Sequence, residues 1–229
     1  MVLAPTVGLG AEGVRPFDKA RLGGALYAAA KRAIDVAVAV TLLIALLPIL
    51  ALIGLAICVD SGFPILYRAE RVGRFGRTFT VLKFRSMRAG ADSLAHVLFI
   101  RSLMNGTATA CELYKVTNDR RITRVGAFLR RSSLDEVPQL WNVLRGEMSL
   151  VGPRPDVPYA VTDYTDWMRR RLDVKPGITG LWQVSGRSRL SLQEMYRLDV
   201  DYVTQASLRC DLGILARTVP AVLRHEGAA

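Results

Sequence analysis

The chain has 229 residues and a formal net charge of +11, yet 51% of its residues are hydrophobic and its mean hydropathy is +0.24. The length excludes a large multidomain assembly, the hydropathy excludes a disordered chain, and basicity joined to so much apolar surface points to an anionic membrane rather than to nucleic acid. Three widely spaced cysteines (Cys58, Cys111, Cys210) and only two histidines (His96, His225) argue against a disulfide framework or a zinc site, and the thiols fit a reducing cytoplasm.

Residues 1–30, rich in Gly and Ala, read as a flexible lead into a short amphipathic approach. From Val36 to Val59 the chain then runs 24 residues without a charge, bracketed by Asp35 and Asp60. A helix of that size measures roughly 36 Å, enough for a bilayer core of about 30 Å. The run starts too far from Met1, and is too long, for the apolar region of a cleavable signal, and it lacks the polar stripe of a soluble core helix. Pro48 at its centre deletes one helical hydrogen bond and clashes with the carbonyl four residues back, so a kink is expected. Basic residues stand on both sides: Arg15, Lys19, Arg21, Lys31 and Arg32 before the run, and Arg68, Arg71, Arg74 and Arg77 after it. Because such residues favour the cytoplasmic side, the expectation is a re-entrant helix-break-helix with both ends cytoplasmic. A spanning helix that tolerates its proline is the alternative.

After Asp60, the runs Pro64–Ala69 and Phe79–Phe84, joined by the Gly- and Arg-rich Arg71–Arg77, predict a β-hairpin. The stretch from Arg88 to Asn118 carries no motif, and Ile122–Arg131 reads as helix. Near the end, Leu208, Leu212, Leu215, Val219 and Leu223 recur at near-helical spacing among Arg209, Arg217 and Arg224, a helix that either packs on the domain or lies at a membrane interface. No repeat or linker divides the polar part. The expected organisation is therefore a lead (1–30), a membrane segment (31–60) and one domain (61–229). The fold class is α+β, mainly helical: a re-entrant segment and a small cytosolic domain with a short β-hairpin.

The chemistry concentrates between Arg130 and Asp156. Asp135 and Glu136 stand at the opening of a predicted helix, where Ser133-x-x-Glu136 has capping-box form; with Asp135 as the cap, Pro138 becomes the third helical residue. One reading is that both acids simply cap the helix and complement its dipole. The other asks why two carboxylates sit together in a basic chain, with Lys83, Arg85, Arg130, Arg131 and Arg154 available to surround an anionic substrate. Phosphoryl transfer has that need: one carboxylate attacks phosphorus, a second holds a divalent metal, and cations absorb the remaining charge. Positive neighbours would also keep Asp135 ionised. The plain alternatives are an exposed strand face for Lys83 and Arg85 and a solvated helix end for Arg130 and Arg131.

Several motifs in order carry a resemblance: the apolar segment with its central proline, Leu82-Lys83-Phe84-Arg85-Ser86-Met87, Ser133-Leu134-Asp135-Glu136-x-Pro138-Gln139-Leu140-x-Asn142, Met148 to Pro155, and Lys175 to Arg187. Over about Lys31 to Thr218 the chain resembles the bacterial sugar transferases known as monotopic phosphoglycosyl transferases, especially the short members that start exopolysaccharide repeat units. The resemblance implies transfer of a sugar 1-phosphate from a UDP-sugar, with glucose or galactose as the sugar, to undecaprenyl phosphate, releasing UMP. It further implies that Asp135 forms a covalent phosphosugar intermediate and that Glu136 binds Mg²⁺. Lys83 and Arg154 would lie near the diphosphate, and Asp199, in Leu198–Val200, in the same polar site. Arg187, with Trp182 and Gln183, would read the nucleotide or sugar, unless the Pro-Gly and Thr-Gly there only build a turn. The implied partners are the UDP-sugar, undecaprenyl phosphate, membrane lipid and a possible homodimer, with no nucleic acid, at the cytoplasmic face of the bacterial inner membrane. Two departures stand out: Leu47 precedes Pro48 where family members often have serine, and Gly90–Glu112 is unlike the family. Rival readings are a membrane-anchored nucleic-acid-binding protein, a non-catalytic scaffold, and a glycosyltransferase that moves the sugar alone and releases UDP.

Overall fold

The computed structural model describes residues 24–88, 121–186 and 189–223. The expectations for most of the N-terminal lead, for Gly90–Glu112 and for Arg187 fall outside them.

An apolar run without a strand-like alternation favours helix, and α1 takes in 38 residues, Gly24–Ser61. The amphipathic approach and the membrane segment are thus one element. The helix continues through Pro48, which corrects the expected helix-break-helix to a single hydrogen-bonded element. Proline has a helical φ and forfeits one N–H, so a helix can pass through it. α1 is long and apolar enough to cross a membrane, and only 17% of its most apolar stretch is buried, unlike a soluble core helix. Ile44, Leu47, Ile49 and Leu52 stand exposed along its middle.

The hairpin forms as expected: β1 (Leu66–Val72) pairs antiparallel with β2 (Thr78–Phe84), with Leu66 opposite Phe84. Helix α2 (Arg124–Ser132) starts at Thr123, whose side chain accepts the Gly126 N–H. A 3-10 turn, Leu134–Glu136, leads into α3 (Gln139–Arg145). Next come β3 (Ser149–Val151), the short helices α4 (Pro158–Thr162) and α5 (Asp166–Arg169), and β4 (Gly177–Thr179). Two longer helices close the described chain: α6 (Leu192–Gln205), opened by a Ser191–Glu194 capping box, and α7 (Leu208–Leu223).

The Pro-Gly and Thr-Gly stretch that reads as a turn builds a second sheet, with β4 parallel to β3. Glycine is required there, because a Cβ on Gly177 would fall 2.1 Å from the Gly152 nitrogen. The main core gathers Val81, Leu140, Val143, Met148, Leu150, Val151, Tyr202 and Val203, and Ala39 of α1 is a full member of it.

Both ends of α1 are docked on this one body. Near the start, Arg32 donates to the carbonyls of Val143 and Leu144 at 2.6 and 2.8 Å, and Asp35 accepts from the Leu150 N–H at 3.0 Å and the Ser149 hydroxyl at 3.1 Å. Near the end, Ile53 and Ile57 pack with Phe84 and Leu129, and the Arg85 guanidinium donates to the Ser61 and Gly62 carbonyls. α7 is held to α1 through Asp211, which accepts from Lys31 at 2.8 Å and from Tyr27 at 3.0 Å. It buries Ile214 and leaves Leu212 and Val219 exposed, so it packs on one side and offers apolar surface on the other.

Candidate active site

α2 ends where Ser133 turns left-handed at φ 58°, and the 3-10 turn that follows carries Asp135 and Glu136. Val137 and Pro138 have helical dihedrals, and α3 begins only at Gln139, with no side-chain cap at either junction. Asp135 therefore does not cap the helix and Pro138 is not its third residue; the pair sits in a tight turn between two helices, free of backbone capping duty.

Glu136 is instead clamped by two cations. Lys83 Nζ donates to Oε1 at 2.9 Å, and Arg154 donates with Nη2 to Oε1 at 2.6 Å and with Nη1 to Oε2 at 3.1 Å. Each cation comes from a different element. Lys83 is the penultimate residue of β2, and β2 is pinned by the buried Asn142 of α3, whose Oδ1 accepts the Leu82 N–H at 3.1 Å and whose Nδ2 donates to Thr80 O at 2.7 Å. The amide thus stands in for a third strand. Arg154 leaves the β3 end through Gly152-Pro153, and its carbonyl accepts from Arg171 Nη2 at 3.0 Å.

Burial works against the charge of Glu136, yet Arg154 and then Lys83 outweigh it and hold the carboxyl well below the usual range. Burial lowers the proton affinity of Lys83, with Glu136 opposing and the Arg154 charge adding to the fall. Asp135 moves the other way from the sequence expectation. Burial and then the neighbouring Glu136 charge push it up, and Lys83, Arg154 and Arg130 only partly offset them. The cations do not keep Asp135 low because Glu136 already holds the two nearest.

Lys83, Asp135, Glu136 and Arg154 are therefore brought together. Arg85 is not: β2 stops at Phe84, the strand alternation ends with it, and the buried guanidinium turns toward the end of α1. Asp199 lies one shell behind. Its Oδ2 accepts from Arg171 Nε at 2.9 Å and Nη2 at 2.8 Å, and Arg171 also reaches Asp156 at 3.3 Å. The Tyr164 and Tyr196 hydroxyls donate to the same Asp156 oxygen. Between these two acids the proton affinities are pushed apart. Burial pushes Asp199 up to about 7 against the pull of Arg171, whereas Arg171 and the tyrosine hydroxyls hold Asp156 below its ordinary value despite burial. Trp182 is buried, and Gln183 Nε2 donates to Ile178 O at 3.0 Å within the β4 turn.

Sequence reasoning gave no role to Asn142, Asp156 or Arg171. The visible signals were an asparagine on an otherwise apolar helix face, an acid two residues beyond Arg154, and the third of three arginines, Arg169–Arg171.

Among the described residues no three His, Cys, Asp or Glu side chains are grouped to hold a metal. The acids at hand are Asp135 and Glu136, a donor set that fits a hard cation held by one or two carboxylates, with phosphate oxygens and water completing its shell. The arrangement can thus set a carboxylate beside a positively charged cradle, the requirement for attack on a phosphorus centre.

The sequence profile of the family described as "Bacterial sugar transferase" matches residues 26–225. The chain is 44% identical over 198 residues to the "UDP-galactose-lipid carrier transferase" of Erwinia amylovora, covering 86% of this chain and 41% of that protein. It is 40% identical over 202 residues to the "Exopolysaccharide production protein ExoY" of Sinorhizobium fredii, covering 86% of this chain and 87% of that one. It is also 37% identical over 226 residues to the "UDP-glucose:undecaprenyl-phosphate glucose-1-phosphate transferase" of Xanthomonas campestris pv. campestris, covering 93% of this chain and 43% of that one. The chain thus spans less than half the length of the Erwinia and Xanthomonas relatives and most of the Sinorhizobium one. With a matching profile over nearly its whole length, and Glu136 clamped by the two cations its motifs supply, the chain belongs to the bacterial sugar transferase family.

Proposed function

We propose that the protein transfers a sugar 1-phosphate from a UDP-sugar to undecaprenyl phosphate, releasing UMP. The observation that carries this reading is Asp135 standing in one turn beside Glu136, with Lys83 and Arg154 brought against that turn, a nucleophile next to a cationic cradle. Relatives named for UDP-sugar, lipid-carrier and undecaprenyl-phosphate transfer support it, and the family does not favour the nucleic-acid or scaffold alternatives.

In the first step a carboxylate oxygen of Asp135 attacks the sugar-side phosphorus; the bond to the bridging oxygen breaks and UMP leaves with its electron pair. In the second, an oxygen of the polyprenyl phosphate attacks the same phosphorus, and Asp135 leaves as a free carboxylate. Lys83 and Arg154 hold the diphosphate, with charge-assisted donors that strengthen as negative charge gathers on the leaving oxygen. Glu136, with Asp135 beside it, would hold Mg²⁺, which neutralises diphosphate charge when bound. A lipid acceptor demands that the reaction occur at a bilayer surface. The docking of both ends of α1 on one body supports a helix that enters and leaves the membrane on the same, cytoplasmic side.

The test is nucleotide release by the purified protein in detergent with undecaprenyl phosphate, Mg²⁺ and a panel of UDP-sugars. UMP from the wild type and none from Asp135→Asn, a loss of at least about 10⁴-fold, is expected. UDP as the product, or near wild-type activity of the variant, would overturn the reading.

A further inference from the structure

The hairpin register sets a third cation on the active-site face. Directly opposed residues of an antiparallel pair share a face; Tyr67 opposes Lys83, Ala69 opposes Val81 and Arg71 opposes Phe79. Val81 is buried in the core and Phe79 packs against it, so this face of the hairpin looks inward, with Lys83 near one end and Arg71 toward the other. The end of β1 is then fixed beside the segment that follows Arg154, because the Val72 N–H donates to Asp156 O at 2.9 Å.

Arg71 is half-buried there, and the described residues leave it without an anion. Among the described residues its single hydrogen bond runs from Nη1 to the carbonyl of its neighbour Glu70, at 2.9 Å, and no carboxylate lies within ion-pair distance of it. Burial, and next the positive charge of Arg154, lower its proton affinity; Tyr67, Asp156 and Tyr159 act weakly in the opposite sense. Asp156, the acid among these neighbours, is already committed. One of its oxygens takes Arg171, Tyr164 and Tyr196, and the other takes the Val157 N–H.

Three other arginines withdrawn from solvent behave differently. Arg32 and Arg85 are capped by main-chain carbonyls at the two ends of α1, and Arg171 lies between two carboxylates. A guanidinium has five N–H donors in a fixed fork suited to phosphate, and Arg71 uses one of them on the protein. Two guanidiniums close enough to repel, one of them unneutralised, form a site that gains stability when a dianionic group arrives.

We propose that Arg71 is a substrate-phosphate-binding residue, forming with Arg154 a second phosphate position beyond the Glu136 clamp, flanked by Tyr67 and Tyr159. It rests on the phosphosugar-transferase reading and extends it: the site holds two phosphoryl groups at once, one at Asp135 and one at Arg71. The second can be the nucleotide-side phosphate of the donor or the phosphate of the lipid acceptor.

The experiment compares wild type, Arg71→Met and Arg71→Lys. It uses UMP binding by titration calorimetry, and separate KM values for the UDP-sugar and for undecaprenyl phosphate. If the nucleotide phosphate sits at Arg71, Arg71→Met weakens UMP binding and raises the donor KM by about 10- to 100-fold, the scale of one lost charge-assisted contact, and leaves the lipid KM unchanged. If the lipid phosphate sits there, the lipid KM rises by that factor and UMP binding is unchanged. Either result supports the proposal. Arg71→Lys keeps the charge and loses the fork, so its values fall between the other two; it serves in place of Arg71→Met should the latter fail to show the wild-type near-UV spectrum. Unchanged UMP affinity and unchanged KM values in a folded variant would overturn the role of Arg71 while leaving the transferase reading intact. Absence of UMP release from the wild type would overturn both.

Discussion

Arg154 grips both oxygens of Glu136 through its guanidinium fork, Nη2 to Oε1 at 2.6 Å and Nη1 to Oε2 at 3.1 Å, while Lys83 shares Oε1. The clamp aligns two cations, with Glu136 as the anion between them. Glu136→Gln removes that charge from a partly buried cluster, so the expected outcome is a loss of about 1–3 kcal/mol in stability together with turnover that no longer rises with added Mg²⁺. Arg154→Lys keeps one charge but loses the fork, and kcat/KM should fall by about 10- to 100-fold. A Mg²⁺ titration of UMP release, run beside thermal unfolding, checks both variants.

The pair behind Arg154 predicts a pH effect. Arg171 is one cation between the buried Asp199 and the half-buried Asp156, so Asp156 carries the balancing charge and burial pushes Asp199 up to about 7 from its ordinary 3.8. Its folded-state affinity for the proton exceeds the unfolded one, so the stability it lends is fully present below about pH 4 and is lost as pH rises toward 7, with a slope of up to about 1.4 kcal/mol per unit. Asp199→Asn mimics the neutral acid and should flatten that part of the wild-type profile, with little loss at pH 7. Arg171→Met strands Asp156 and should cost about 3–5 kcal/mol. Denaturant midpoints across pH 4–8 decide it; parallel profiles for wild type and Asp199→Asn would refute the neutral state.

Asn142 is fully buried and supplies the edge partner that β2 lacks. Asn142→Leu keeps the volume and leaves the Leu82 N–H and the Thr80 carbonyl unpaired, at about 1–3 kcal/mol each. Because Lys83 follows Leu82, kcat/KM should drop further than the thermal midpoint alone explains. Equal activity per folded molecule would mean that β2 keeps its place without the amide.

The docking of both ends of α1 bears on topology. In a background lacking the native cysteines, single cysteines at Ala20 and Gly62 should both react with an impermeant thiol reagent from the same side of inverted vesicles. Pro48→Ala restores the helical hydrogen bond that the proline forfeits, a gain of about 3 kcal/mol, and should shift Ala20 toward the opposite side. Opposite-side labelling of the two sites in the unaltered helix would refute the re-entrant reading.

Much of the site was legible where chemistry depends on residue type in local sequence. The Asp135–Glu136 pair, Lys83 and Arg154 stand in motifs, and the hairpin follows from β-rich runs around glycines. What escaped depends on long-range pairing. Arg85 looked equivalent to Lys83 by strand alternation, but the strand stops between them and the end of α1 takes the guanidinium. The helix cap assigned to Asp135 gave way to a 3-10 turn because Ser133 turns left-handed and reverses the chain before the acid. Asp199 lies near the site but acts through Arg171, a partner 28 residues away that no local pattern reveals. The direction in which Asp135 shifts escaped too, since counting cations misses both its burial and the neighbouring Glu136 that already holds Lys83 and Arg154.

Because Ala39, Ile53 and Ile57 are core residues and Asp35 closes a bond to β3, α1 is a structural wall of the protein rather than a leash. Trimming it away would open the two clusters of core residues that it completes. α1 and the body on which it docks therefore form a single cooperative unit, and a change at either end of the helix bears on the elements packed against it.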